Sequence, residues 1–160
     1  MGKLRGKQII LCAAVFFVAF IPVNAKSNTL SARAETACED FGLAYGIQPE
    51  LIEAVVLVES GGDKYATNKS CKGLMQISER WHQDRMKKLG VTDIYDERDN
   101  IKVGTDYLAE LFVEYEDPCL VLDLYNGNAK AFEYYEAGVV SEYANKVLTL
   151  SAELEREHGK

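Results

Sequence analysis

The stretch 57-LVESGGDKYATNKSCKGLMQIS-78 decides how this chain is read. An apolar run ends abruptly at a single carboxylate, Glu59. A Gly pair and a polar loop follow, then a second short apolar segment from Gly73 to Ile77. Just upstream, 49-PELIEAVVLVES-60 begins with Pro49, a residue suited to the first turn of a helix. The segment is apolar on most sides, which predicts a buried central helix. Glu59 follows Val56, Val55 and Ile52 by three, four and seven residues, so it projects from an apolar stripe. A carboxylate there is costly to ionise, and its pKa should rise. A raised pKa keeps a proton available near neutral pH, as a general acid requires. Position alone is explained better by a helix-end Glu that reaches water, with Ser60 and Gly61 ending the helix. Glu53 lies in the same helix and carries no further mark.

Helical patterns continue on both sides. Residues 31–46 read as a helix that starts near Ser31 and is closed by Gly46. Ser78 is placed to cap 79-ERWHQDRMKKL-89, which Gly90 would stop. Residues 91–98 look like a loop. Asp99 is placed to cap the segment from Asn100, with Ile101, Leu108, Leu111 and Phe112 on one side. Asp117 and Pro118 open another helix, one is expected near 129–137, and a last one from Ser141 to about Leu150. No alternating strand is visible. The fold class is therefore mainly α, with at most a small sheet or irregular lobe in 60–75.

The N-terminus reads differently. Lys3, Arg5 and Lys7 precede an apolar run from Ile9 to Val23 that ends in Val23-Asn24-Ala25. Such a pattern reads as a secretory signal over 1–25, too short for an ordinary membrane span. Residues 26–160 then form one domain. Its formal charge moves from −7 to −10, because three basic residues leave and no acid does. An acidic exported domain is a poor nucleic-acid binder, and membrane contact is expected only through an uncleaved N-terminal segment. Cys38, Cys71 and Cys119 match no zinc spacing, and 93-DIYDERDN-100 lacks the glycine and spacing of a calcium loop. No metal or cofactor is expected. The three thiols allow one bridge and a leftover, or three buried free cysteines.

The order of short motifs gives Glu59 a context: Glu59-Ser60, then 73-GLMQIS-78, then Asn100-Ile101 with Gly104 and Tyr107-Leu108, then 125-YNGN-128. This succession resembles the lytic transglycosylase domain of the soluble-transglycosylase (SLT) type, a lysozyme-like wall-degrading family. The resemblance covers roughly 38–148. It implies a mainly α, lysozyme-like α+β fold with a glycan-binding groove and a single catalytic Glu, here Glu59. In the family this acid protonates the glycosidic oxygen between N-acetylmuramic acid and N-acetylglucosamine. It then acts as base on the muramoyl 6-hydroxyl, and a 1,6-anhydro sugar results. Proton donation needs one carboxyl, whereas hydrolysis usually needs a second.

The resemblance also implies groove roles for Gln76, Met75 and Tyr125. Asn126 is counted with them, more as a brace of its turn. The late Tyr143 is expected to reach the groove, and Asn100 to serve as a polar anchor. For Met75 and Tyr125, core packing is a real alternative. Trp81 and His82 are expected as a partly buried Trp and a solvent-facing His. The loop departs from the family pattern at Thr67, Ser70 and Cys71, and Cys71 could pair with Cys119 or Cys38. Leu124 replaces a common Ala. Three functions stand beside one another. The first is lytic cleavage of peptidoglycan strands. The second is hydrolysis of the goose-type lysozyme kind, with Asp63 as the nearest second carboxylate. The third is a wall-associated part of a secretion or conjugation apparatus. All place the protein in the envelope, the periplasm or outside the cell.

Overall fold

The computed structural model describes residues 29–160, so the expected signal, 1–25, lies outside the described residues. Among the described residues, seven helices and three very short strands follow in chain order. They are α1 (Ala32–Tyr45), α2 (Pro49–Ser60), β1 (Thr67–Asn68), β2 (Cys71–Lys72), β3 (Ile77–Ser78), α3 (Glu79–Leu89), α4 (Glu97–Tyr115), α5 (Pro118–Tyr125), α6 (Ala131–Ala137) and α7 (Glu142–Glu157). The mainly α expectation holds. None of the described helices is long and apolar enough to cross a membrane.

Helix α2 is the buried centre that its composition predicts. Ile52, Ala54, Val55 and Val56 have no exposed surface, and the helix packs against α1 and α7. The stripe on α4 behaves likewise, with Ile101, Val103 and Leu108 fully buried. The strands form one antiparallel sheet in the order β1-β2-β3, with Thr67 opposite Lys72 and Cys71 opposite Ser78. A sheet this small cannot stand by itself. It is held by Asn100, at the start of α4 and only 1% exposed. Its Oδ1 accepts from the Met75 N–H (2.7 Å), while Nδ2 donates to the carbonyls of Lys72 (3.0 Å) and Ile94 (2.8 Å).

Two glycines make this approach feasible. Gly73 has φ +77°, and a Cβ there would collide with the Asn100 amide. A Cβ on Gly104 would collide with the Met75 side chain, which fills the notch that Gly104 leaves in α4.

Several boundaries differ from expectation. Helix α4 is capped by Asp96, not Asp99. Asp96 is extended, and its Oδ1 accepts from the N–H groups of Arg98 (3.0 Å) and Asp99 (3.1 Å). Ser78 sits at the N-cap of α3 but makes no capping bond. Helix α7 runs to Glu157, past the expected end near Leu150, because Val147 and Ser151 continue its buried stripe. The three described cysteines are free thiols, the second of the two alternatives that the sequence left open; Cys38 is buried in the core.

The plain helix residue Glu53 is also a surprise, being 5% exposed. Burial pushes its pKa up to about 6, against the opposing charge of His158. One turn earlier, Glu50 is 1% exposed. Burial would raise it too, but bonds from Lys160 Nζ (2.7 Å) and His158 Nδ1 (2.9 Å) hold it at about 2.

Replacing Asn100 by Ala should strand a buried N–H and two carbonyls. The expected loss is roughly 3 kcal/mol or more, read by denaturant unfolding; an unchanged midpoint would refute the anchor role. Glu53 gives the opposite sign. Its folded pKa lies above the ordinary 4.5, so the native state holds more protons in that window and stability falls as pH rises through it. Glu53→Gln should therefore stabilise the fold by roughly 1–2 kcal/mol at pH 7.5. It should also flatten the melting temperature between pH 4.5 and 6. A lower melting temperature at pH 7.5 would count against this.

Candidate active site

Glu59 sits in the last turn of α2, where Gly61 takes a left-handed conformation and turns the chain away. Its carboxylate meets α7 from the far side. Tyr143 Oη donates to Glu59 Oε1 at 2.6 Å, across 84 residues of sequence. Burial raises the Glu59 pKa, and the Tyr143 hydrogen bond and the Lys146 charge work against that rise. The result is a carboxyl held above the ordinary range yet still in touch with a cavity of about 570 Å³. Asn68, Asn126, Tyr134, Glu142, Tyr143 and Lys146 share that cavity with it.

A buried carboxylate keeps Tyr143 in place. Asp123, 2% exposed on α5, accepts from Ser141 Oγ and from Asn128 Nδ2 (3.2 Å). Ser141 in turn caps α7 by accepting from the Ala144 N–H at 3.0 Å. One side chain therefore ties the 125–128 turn to the start of the helix that carries Tyr143 and Lys146.

The residues of the second motif have divided roles. Gln76 has a positive φ of 49°, rare for a residue with a side chain. Its Nε2 donates to the carbonyls of Gly73 (2.9 Å) and Ala66 (3.1 Å), so its donors brace the loop. Met75 is fully buried against Gly104. The expectation that its side chain lines a sugar subsite is corrected: its side chain belongs to the core, and only its backbone serves the site. That backbone carbonyl accepts from Tyr125 Oη at 2.9 Å. Tyr125 also stacks on Tyr107, with ring centroids 5.4 Å apart, and burial raises its phenol pKa far up. The Tyr125 hydroxyl is thus spent as a brace, though the residue still borders a cavity, and Asn126 is the exposed one, not only a brace of its turn.

A second cavity, of about 580 Å³, lies beyond Asn126. Gln76, Trp81, His82 and Tyr125 border it. Trp81 and His82 also reverse expectation: Trp81 is 76% exposed, while His82 packs its ring on Tyr107 at 4.7 Å. Asp63 does not border the Glu59 cavity. It is exposed and accepts from the Tyr65 N–H at 2.9 Å, closing its own loop turn. Glu142 and Lys146 border the Glu59 cavity and were missed in sequence. Their only signal was spacing around Tyr143, one residue before it and three after it on a helix. Among the described residues no cluster suited to a metal ion occurs.

Both partners of Glu59 favour its ionised form, so removing either should raise its pKa further. Tyr143→Phe and Lys146→Met are each expected to move the Glu59 titration to higher pH, read by carboxyl-carbon NMR. A downward move in either variant would overturn the assignment of these contacts.

Sequence and structure comparisons give the family and the fold. The Transglycosylase SLT domain family matches residues 38–145. A peptidoglycan-binding-like protein of Escherichia coli O157:H7 is 38% identical over 97 residues, covering 49% of this chain and 56% of that protein. An endo-type membrane-bound lytic murein transglycosylase A of Klebsiella pneumoniae is 33% identical over 81 residues, 46% of this chain and 40% of its own. A membrane-bound lytic murein transglycosylase F of Desulfosudis oleivorans is 37% identical over 78 residues, with 16% of its length covered. The matches thus span from 16% to 56% of these relatives' lengths. The lytic transglycosylase Slt of Pseudomonas aeruginosa, solved as an inactive Glu-to-Gln mutant, superposes with a TM-score of 0.67 at 16% identity. That likeness covers 78% of this chain and 24% of Slt. It establishes the lysozyme-like helical fold. With Glu59 at the end of its buried helix and a family match over most of the described chain, this protein belongs to the Transglycosylase SLT domain family.

Proposed function

We propose that the chain is a peptidoglycan lytic transglycosylase with Glu59 as its catalytic residue. The observation that carries this reading is a carboxyl whose pKa is raised by burial, in a cavity, under the hydroxyl of Tyr143. Such a group can hold its proton until a glycosidic oxygen approaches. Protonation of that oxygen lets the bond from the muramoyl anomeric carbon break, and the N-acetylglucosamine end leaves as an alcohol. Glu59, now a carboxylate stabilised by Tyr143 and Lys146, takes the proton of the muramoyl 6-hydroxyl. That oxygen closes onto the anomeric carbon of its own ring. No water enters, and the acid is restored. Holding the hydroxyl in the same molecule supplies the proximity that a free water lacks.

The amide-rich cavity wall, Asn68, Asn126 and Asn128, suits the hydroxyl and acetamido groups of an uncharged glycan. Export to the cell envelope, and delivery to a secretion or conjugation apparatus that must open the wall locally, complete the reading. Export rests on the leader pattern of residues 1–25.

One observation favours hydrolysis instead. Glu142 borders the same cavity as Glu59 and could activate a water. It is exposed at the start of α7, where a carboxylate is also explained by the helix dipole.

Glu59→Gln should lose roughly 100- to 10,000-fold in lytic rate on purified sacculi. Its melting temperature should match or exceed that of the parent, because a carboxyl with a raised pKa burdens the fold at neutral pH. Retained turnover in this variant would sink the assignment. Mass spectrometry of the parent's products should show anhydro ends, one water lighter than reducing ends. Reducing ends, together with loss of activity in Glu142→Gln, would establish hydrolysis in its place.

A further inference from the structure

Helix α4 packs on α1 and α5, and α7 on α2 and α5, yet α4 and α7 hardly touch each other. The gap between them is a cavity of about 710 Å³, larger than either cavity near Glu59. Leu51, Ala109, Phe112, Leu148 and Ala152 line it, and each is only half-buried. Ala109 and Phe112 lie three residues apart on α4, and Leu148 and Ala152 four apart on α7, so each helix turns an apolar stripe to the gap. Val113, 87% exposed, also lines it. A smaller cavity of about 350 Å³ shares Gly46, Ile47 and Gln48 with the first, and Leu43, 88% exposed, borders it. Together they form one open apolar groove past the end of α1. Contiguous exposed apolar surface of this kind marks a place where something docks.

The groove lies at the other end of α2 from Glu59. Leu51 is in the first turn of α2 and Glu59 in the last, about 12 Å of helix apart. Neither cavity shares a lining residue with the two around Glu59. The charge is one-sided. Glu155 borders the larger cavity and Glu39 the smaller, and no Lys or Arg borders either. Arg156 follows Glu155 but does not border the cavity. His158 and Lys160, past the end of α7, are bound to the buried Glu50. Glu35, Glu39 and Glu50 all help to raise the Glu53 pKa, so the field here is negative.

We propose that this groove docks an amphipathic helix of a partner protein, its apolar side chains seated between α4 and α7 and its lysines or arginines facing Glu39 and Glu155. The charge selects the occupant. A fatty acid or an anionic lipid headgroup would bring its negative charge to two carboxylates, and the acidic domain would repel a second copy of itself. The shape selects a helix. A docking strand needs a free backbone edge, but the groove is bordered by helices and a turn, and the described strands all lie in 67–78. A partner held here leaves the Glu59 cavity uncovered, so the domain can be tethered by one end while the other stays open. The docking site stands independently of the lytic reading.

The test is calorimetric titration of the whole chain with a synthetic helix of leucine and lysine, its leucines on one face, and with the leucine–glutamate counterpart. The lysine helix should bind one to one, and the glutamate helix at least about tenfold more weakly. Leu43→Lys and Val113→Lys, at exposed positions, should each weaken the lysine helix about tenfold. Tyr65→Lys adds the same charge at a 66% exposed position beyond the Glu59 end of α2 and should leave its Kd unchanged. Glu39→Lys combined with Glu155→Lys should invert the preference between the two helices. Circular dichroism checks that each variant is folded. Absence of binding by the lysine helix would overturn the proposal, as would equal binding of both helices. A Tyr65→Lys effect as large as that of Val113→Lys would reduce the binding to general charge attraction and overturn it too. A dimer in sedimentation that Val113→Lys dissolves would assign the groove to a second copy, and binding that appears only after removal of residues 1–28 would assign it to the chain's own leader; either overturns the partner helix. Cleavage of sacculi is read separately. Leu43→Lys and Val113→Lys should cleave as the parent does, and absence of cleavage by the parent would refute the lytic reading while leaving the binding outcomes as they stand.

Discussion

The whole groove depends on one buried amide. Asn100 accepts from Met75 and donates to Lys72 and Ile94, and so ties a sheet of two-residue strands to the long helix α4. Strands this short have almost no stability of their own. Once the Met75 N–H is fixed, the neighbouring carbonyl faces Tyr125 and the strained Gln76 closes the loop over Ala66. A side chain with both donor and acceptor capacity is required, since the loop presents one N–H and two carbonyls. An apolar replacement would leave all three unmet in the interior, where each costs about 1–3 kcal/mol.

The Glu59 end of the structure is built on a second clamp of the same kind. Asp123 gathers Ser141 and Asn128, which sets the start of α7 and hence Tyr143 above Glu59. The two clamps come from different parts of the chain, and Glu59 lies between the elements that they position. Its raised pKa reflects a balance. The surrounding wall disfavours charge, while Tyr143 and Lys146 favour the ionised form. A fully dry site would hold the proton too tightly to give it up and take it back. A fully wet one would not hold it at neutral pH.

Buried carboxylates elsewhere show that burial alone does not single out Glu59. Glu50 and Glu53 are both more hidden than Glu59. Glu50 is neutralised by Lys160 and His158 at the end of the chain. Glu53 has its pKa raised by burial but borders none of the cavities described around Glu59. What distinguishes Glu59 from Glu50 and Glu53 is access: of these three it is the one that borders a cavity lined by amides.

The sequence by itself determined the helical class, the central place of α2, and Glu59 as the residue to watch. The first two follow from local rules, Pro49 at a helix start and an apolar periodicity; Glu59 stood out only through the order of the motifs and the resemblance they carry, since its position alone fitted an ordinary helix end. The sequence also pointed to Asn100 as an anchor and Tyr143 as a groove residue, because short motifs in order carry the spacing of a whole fold. Only the tertiary structure decided which side chain of each motif faces the groove. Met75 turns into the notch of Gly104, Tyr125 spends its hydroxyl on the Met75 carbonyl, and Asn126 is left in the open. Lys146, Glu142 and the exposed Trp81 could not be read from spacing. Their positions depend on how α7 and α3 pack against the rest, and a helix pattern states which residues share a face but not what that face meets.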